Sequence, residues 1–265
     1  MTDAPLAFDR AGPSGDLPVV LVHAGIADRR MWDPQWPALT AARDAVRVDL
    51  RGFGESTAPP DGALSHVDDV LATLQSLGIA RCHLVGASLG AGVVTELALA
   101  RPELAASLLL APPGGSLLVE LTPDLRAFID TENEALERDD LDAAVEANVS
   151  AWVVGPGRDA SAVPDDVLER VRTMQRQAFE LQVPWGDIDA REPDPPVHEH
   201  LSSITVPTLV LLGGHDLDTT KDAARRVDER VSGAERVDWA DVAHLPSLER
   251  PEEFLALLLD WLGRG

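Results

Sequence analysis

The chain has 265 residues, 45% hydrophobic and 25% charged, which are values of a globular protein rather than a disordered one, and its length suits one α/β domain carrying an insertion. Its formal net charge is −23 and Lys221 is the sole lysine, which opposes phosphate-mediated nucleic-acid binding and attraction to an anionic membrane. No apolar run reaches the roughly 18–20 residues that span a bilayer, the stretch MTDAPLAFDR lacks a basic-then-apolar leader pattern, and the single cysteine, Cys82, excludes an intramolecular disulfide, so a reducing cytoplasm is the expected setting.

Apolar runs and helical patterns alternate along the chain, the signature of a parallel sheet flanked by helices. Leu17–His23 is expected to be a buried strand entering a glycine-containing turn, and Ala45–Asp49 the next, ending in Arg51-Gly52-Phe53-Gly54-Glu55-Ser56. His66–Leu77 has Val67, Val70, Leu71, Leu74 and Leu77 at helical spacing and stops at Gly78. Cys82–Val85 is a short strand, Leu89–Ala100 a helix closed by Arg101-Pro102, and Ala106–Ala111 a strand. From about 114 to 201 the patterns are helical only: Asp124–Arg138, Leu141–Val153 and Asp165–Leu181, ending in Pro193-Asp194-Pro195-Pro196. This segment is expected to be a helical cap, leaving 1–113 and 202–265 as the α/β core. The strand–helix rhythm resumes with Thr208–Gly213, Thr220–Val231, Glu235–Trp239 and Pro251–Leu262.

The strongest local signal is Gly86-Ala87-Ser88-Leu89-Gly90, a G-x-S-x-G between a strand and a helix. The turn is so tight that the serine is strained and its neighbours two positions away must be small; the serine is lifted to the helix N-terminus, where free amides favour a developing oxyanion. A serine hydroxyl needs a base, and the base an orienting acid, in the order Ser…Asp…His. Asp216 follows the strand Thr208–Gly213, with Asp218 a rival two residues on, and His244 follows the last strand. All lie at carboxyl ends of strands, where open α/β sheets build their sites. Asp241 is near His244 in sequence only, and the turn after Ala106–Ala111 offers no carboxylate. His66, His83, His198, His200 and His215 are given surface or packing roles; His198 and His200 lack accompanying cysteines, so no metal site is expected. His23-Ala24-Gly25 ends the first strand, which assigns the oxyanion amides to Gly25 and Leu89 and leaves the His23 ring to tie loops together.

With these pieces in place the sequence resembles the α/β-hydrolase superfamily from about Leu17 to Leu262, on His23-Ala24-Gly25, Asp49–Ser56, the Ser88 elbow, Gly214-His215-Asp216 and Ala243-His244-Leu245-Pro246. The resemblance implies an α/β fold with a mostly parallel eight-stranded sheet, a helical cap after the sixth strand, Ser88 as nucleophile, His244 as base, Asp216 as orienting acid, and an architectural role for the Asp49–Ser56 turn. Met31-Trp32-Asp33-Pro34-Gln35 is similar to a segment of 3-oxoadipate enol-lactonases and related small esterases. A serine nucleophile argues against haloalkane dehalogenases and epoxide hydrolases, which need a carboxylate.

The expected activity is hydrolysis of a small carboxylic ester, without cofactor or metal, followed by lactone hydrolysis and then carbon–carbon bond hydrolysis; a catalytically silent small-molecule binder is the reading from another class. Trp32, Phe128, Trp152, Met174, Phe179 and Trp185 are the candidate substrate contacts, and each is equally suited to cap core. Arg126, Arg172 and Arg176 could meet an acidic lactone, but the negative chain does not attract one from a distance.

Overall fold

The computed structural model describes residues 5–264. The chain runs through β1 (Phe8–Ala11), β2 (Val19–Val22), α1 (Trp36–Ala42), β3 (Ala45–Val48), α2 (His66–Ser76), β4 (Cys82–Ser88), α3 (Leu89–Ala100) and β5 (Ala105–Pro113). A helical segment follows, with α4 (Pro123–Glu137), α5 (Leu141–Asn148), α6 (Asp165–Gln182) and α7 (Val197–His200). It leads into β6 (Thr208–Gly213), α8 (Asp218–Arg230), β7 (Glu235–Trp239), α9 (Pro246–Glu249) and α10 (Pro251–Leu262).

The strands form one sheet in the order β1-β3-β2-β4-β5-β6-β7. Only β1 runs antiparallel, pairing Phe8 with Val48 and Ala11 with Ala45; the other neighbours are parallel. The described residues therefore give seven strands, not the eight that the resemblance implies. The stretch between β1 and β2, Gly12–Pro18, carries two prolines and two glycines in seven residues and forms no strand.

Alternation along the strands divides the core. Val19 and Leu21 of β2, Leu109 and Ala111 of β5 and Leu209 and Leu211 of β6 face one cluster, with Trp32, Leu39, Phe254 and Leu258. Val20 and Val22, Leu108 and Leu110, and Val210 and Leu212 face the other, with Val70 and Leu74 of α2 and Val94 and Leu97 of α3. Burial on both faces is why these strands read as continuous apolar runs.

Four short elements escaped the sequence pattern: the four-residue helices α7 and α9, too short to show a period, and β1 and α1. β1 (FDRA) is polar and half exposed, and α1 opens on Trp36-Pro37 with one wholly buried residue, Leu39, so neither shows a clear period. One predicted helix changes its winding: α5 stops at Asn148 and Val149–Val154 form a π turn ending at Gly155, φ +79°. Among the described residues no helix is long and apolar enough to cross a membrane.

Candidate active site

β2 and β4 are neighbours although β3 lies between them in sequence, so the strand order reverses there and the two following loops diverge around a crevice. Ser88 ends β4 and precedes α3 with φ 53° and ψ −114°, a backbone state that costs an L-residue about 1–3 kcal/mol. The chain around it admits nothing larger than glycine. A Cβ on Gly86 would stand 2.4 Å from the Gly90 carbonyl oxygen, and one on Gly90 2.3 Å from that of Val22. A third glycine was not foreseen: a Cβ on Gly114, just beyond β5, would lie 2.7 Å from the Ser88 Cα.

The loop after β2 is brought against the start of α3. Gly90 N–H donates to the His23 carbonyl at 3.1 Å, and the Gly25 Cβ direction points at the Leu89 side chain, 3.6 Å away. Leu89 is the first residue of α3, so its N–H has no intrahelical acceptor. The buried His23 ring joins two loops: Nδ1 lies 2.8 Å from the Ala24 carbonyl, and Nε2 accepts from Leu50 N–H at 2.8 Å. These partners require the neutral ring with its proton on Nδ1, and burial accordingly holds its pKa below the usual value. The Asp49–Ser56 turn is braced in the same way. The Asp49 carboxylate accepts from the amides of Arg29 and Glu55 at 2.8 Å each, and a side chain on Gly54, φ +52°, would strike it.

Phe53 lies edge-on to His23 and is followed by His66, with ring centroids 5.0 Å and 6.5 Å apart. Burial, with His23 and Arg51 adding to it, pushes the His66 imidazole down to about 4. An unfolded histidine protonates near 6.5, so between pH 6.5 and about 4 the unfolded state takes up a proton that the fold refuses. Stability should fall across that window, by at most about 3 kcal/mol from this residue. Urea unfolding at pH 7 and pH 4.5 checks it: His66→Gln should show a shallower pH dependence than wild type, and equal slopes would refute the assignment.

Asp216 and His244 meet in the interior. Asp216 Oδ1 accepts from His244 Nδ1 at 2.7 Å and from Leu217 N–H at 2.9 Å, with both side chains almost wholly buried. His244 Nε2 is buried and has no hydrogen-bond partner among the described residues, Ser88 included. Asp218 lies elsewhere: it starts α8, its amide donates to Asp124 at 2.7 Å, and its exposed carboxylate pairs with Lys221. Asp241 pairs with Arg250 at the surface.

The π turn covers the histidine. The Trp152 carbonyl accepts from His244 N–H at 3.1 Å, and the Trp152 ring packs on the imidazole with centroids 4.4 Å apart. Gly155 is required where the chain leaves, since a Cβ there would stand 2.1 Å from the His215 carbonyl oxygen. His215 Nδ1 lies 3.0 Å from the Pro156 carbonyl, and His83 Nδ1 2.8 Å from Ser107 Oγ.

Of the six candidate substrate contacts, Trp152 touches His244, and Phe128 packs edge-on to Trp152 at 5.4 Å. Trp32 is wholly buried against Phe254, a core position rather than an open wall. Met174 and Phe179 are buried in the same cluster as Trp152, and Trp185 leans over Gly52. A cleft of about 590 Å³ opens beside Leu89, between the start of α2, α3 and residues 190–198, and none of the six lines it. Its walls include Val67, Leu89, Val93, Glu96 and Ser116, and sequence periodicity gave no sign of it. Arg172 and Arg176 pair with Glu146 and Asp142 on the outer face of the helical segment.

Comparison with known proteins agrees with this architecture. A family model described as the alpha/beta hydrolase family matches residues 19–257. The chain is 26% identical to 3-oxoadipate enol-lactonase 1 of Acinetobacter baylyi, over 93% of this chain and 88% of that protein. It is 28% identical to the strigolactone esterase RMS3 of Pisum sativum, over 91% of each. A malate-bound thermophilic esterase from Thermogutta terrifontis superposes with a TM-score of 0.80 at 26% identity, covering 98% of this chain and 93% of that one.

Proposed function

The chain belongs to the alpha/beta hydrolase family, and from that membership we propose that it hydrolyses small carboxylic esters through an acyl-enzyme on Ser88, with His244 as general base and Asp216 as its orienting acid. The observation that carries this reading is the buried His244–Asp216 contact, whose Nε2 is left unpartnered, in a chain whose Ser88 is strained at the end of β4.

Asp216 accepts a hydrogen bond from His244 Nδ1–H and so fixes the tautomer with a basic Nε2. Nε2 removes the Ser88 proton as Oγ bonds to the carbonyl carbon, and the carbonyl electron pair moves onto oxygen. The amides of Gly25 and Leu89 donate to that oxyanion; losing one such donor typically costs about 2.7–4 kcal/mol in the transition state. The imidazolium then protonates the leaving alkoxide. A water, deprotonated by the same nitrogen, repeats the addition on the acyl-enzyme, releasing acid and free serine. A lactone follows the same steps with its alcohol still tethered, and the enol-lactonase relative favours that as the second reading. In this scheme residues 114–201 act as a cap, whose Trp152 and Phe128 close over the reacting groups while the cleft beside Leu89 receives part of the substrate.

Intact-mass measurement after incubation with a fluorophosphonate tests the reading without choosing a substrate. Wild type should gain one adduct, mapped to Ser88, and Ser88→Ala should gain none. A folded wild type that takes up no probe and hydrolyses no member of an ester and lactone panel would overturn it.

A further inference from the structure

Among the described residues, the most enclosed arginine–carboxylate pair joins the cap to the loop that carries His244. Arg158, three residues beyond Gly155, donates from Nη2 to Glu249 Oε2 at 2.7 Å, with the two side chains 6% and 4% exposed. The other carboxylate oxygen, Oε1, accepts from Ala243 N–H at 2.7 Å, and Ala243 immediately precedes His244. We propose that Glu249 is a positioning residue for His244, and that Arg158 of the cap holds Glu249 to that task; this rests on the reading of His244 as the base.

Three observations support it. The reactive Nε2 has no partner of its own, so its direction depends on what holds the ring and its backbone. Asp216 and Trp152 hold the ring. The backbone is held at two successive amides: that of His244 by the Trp152 carbonyl, and that of Ala243 by Glu249. Both anchors trace to residues 152–158 of the cap. A buried ion pair is moreover a poor way to stabilise a fold, since apolar residues of similar size often do as well or better. Glu249 has a use that an apolar side chain lacks, because it supplies the acceptor for the Ala243 amide.

Two double variants separate positioning from stability. Arg158→Met/Glu249→Met removes the charges and the acceptor together. Arg158→Met/Glu249→Gln removes the charges and keeps an amide oxygen for Ala243. The Gln variant should retain kcat on a neutral p-nitrophenyl ester within about 3-fold of wild type. The Met variant should lose about 10- to 100-fold in kcat with KM within about 2-fold, the scale of a misplacement near 1 Å. The downfield proton resonance of His244 Nδ1–H should stay sharp in the Gln variant and broaden or move in the Met variant. Equal kcat in the two, a Gln variant as impaired as a removed base, or an unchanged resonance in the Met variant would overturn the proposal. The resonance is read without turnover, so a wild type inert toward esters refutes the hydrolase reading alone.

Discussion

Ser88→Ala is expected to lower kcat on a hydrolysable ester by at least about 10⁴-fold while leaving the fold intact. Alanine keeps the Cβ and removes only Oγ, so Gly86, Gly90 and Gly114 need not move. The residual rate should remain above that in water, because the Gly25 and Leu89 amides are untouched. The same site predicts an opposite effect on stability. Glycine adopts φ 53° freely, so Ser88→Gly should relieve part of the strain and gain about 1 kcal/mol after its greater unfolded-state entropy is subtracted. Urea unfolding and ester turnover on the three proteins check both halves. A Ser88→Ala protein that keeps more than a hundredth of wild-type kcat would remove the serine from its role.

Asp216→Asn should cost about 10³- to 10⁴-fold in kcat with little change in KM. Oδ1 serves both Leu217 N–H and His244 Nδ1, whereas Oδ2 is buried without a partner. An asparagine that keeps its oxygen toward Leu217 and His244 places its NH₂ where nothing accepts, and has no charge to stabilise the imidazolium. One that turns over presents N–H to Nδ1 and drives the imidazole proton onto Nε2, where it cannot receive the serine's. Either orientation disables the base. Asp218→Asn should leave kcat within about 2-fold, since that carboxylate faces solvent beside Lys221. Comparable losses in the two variants would contradict the Asp216 assignment.

How much of this was legible in the sequence differed with distance along the chain. The elbow is five contiguous residues between a strand and a helix, and steric necessity at both glycines writes it into the local order. The contact between Asp216 and His244 was anticipated because each lies in the loop after a strand, the apolar β6 and the charged β7, although 28 residues separate them. Gly114 was not, because its closeness to Ser88 arises from the pairing of β4 with β5. Glu249 and Arg158 stand 91 residues apart and carry no pattern that would join them. The aromatic candidates show the opposite failure. Residue type marks Trp32, Phe128 and Trp152 alike as wall or core, and depth decides between them; depth is set by α10 for Trp32 and by the π turn for Trp152. The π turn was itself invisible, since its extra residue leaves the apolar spacing of 141–153 close to helical.

The two strands at the margins of the sheet bear on how copies of the protein behave at high concentration. On β1, Asp9 is engaged by Arg29 and Arg47, and Arg10 by Asp44. On β7, Arg236 pairs with Asp238, and Glu235 with Arg264. Strand addition by a second molecule at either margin would have to strip water from these groups before gaining backbone hydrogen bonds, in a chain that already repels its own copies. The charged pairs on β1 and β7, in a chain of formal net charge −23, thus guard the sheet against growing from its edges into aggregates.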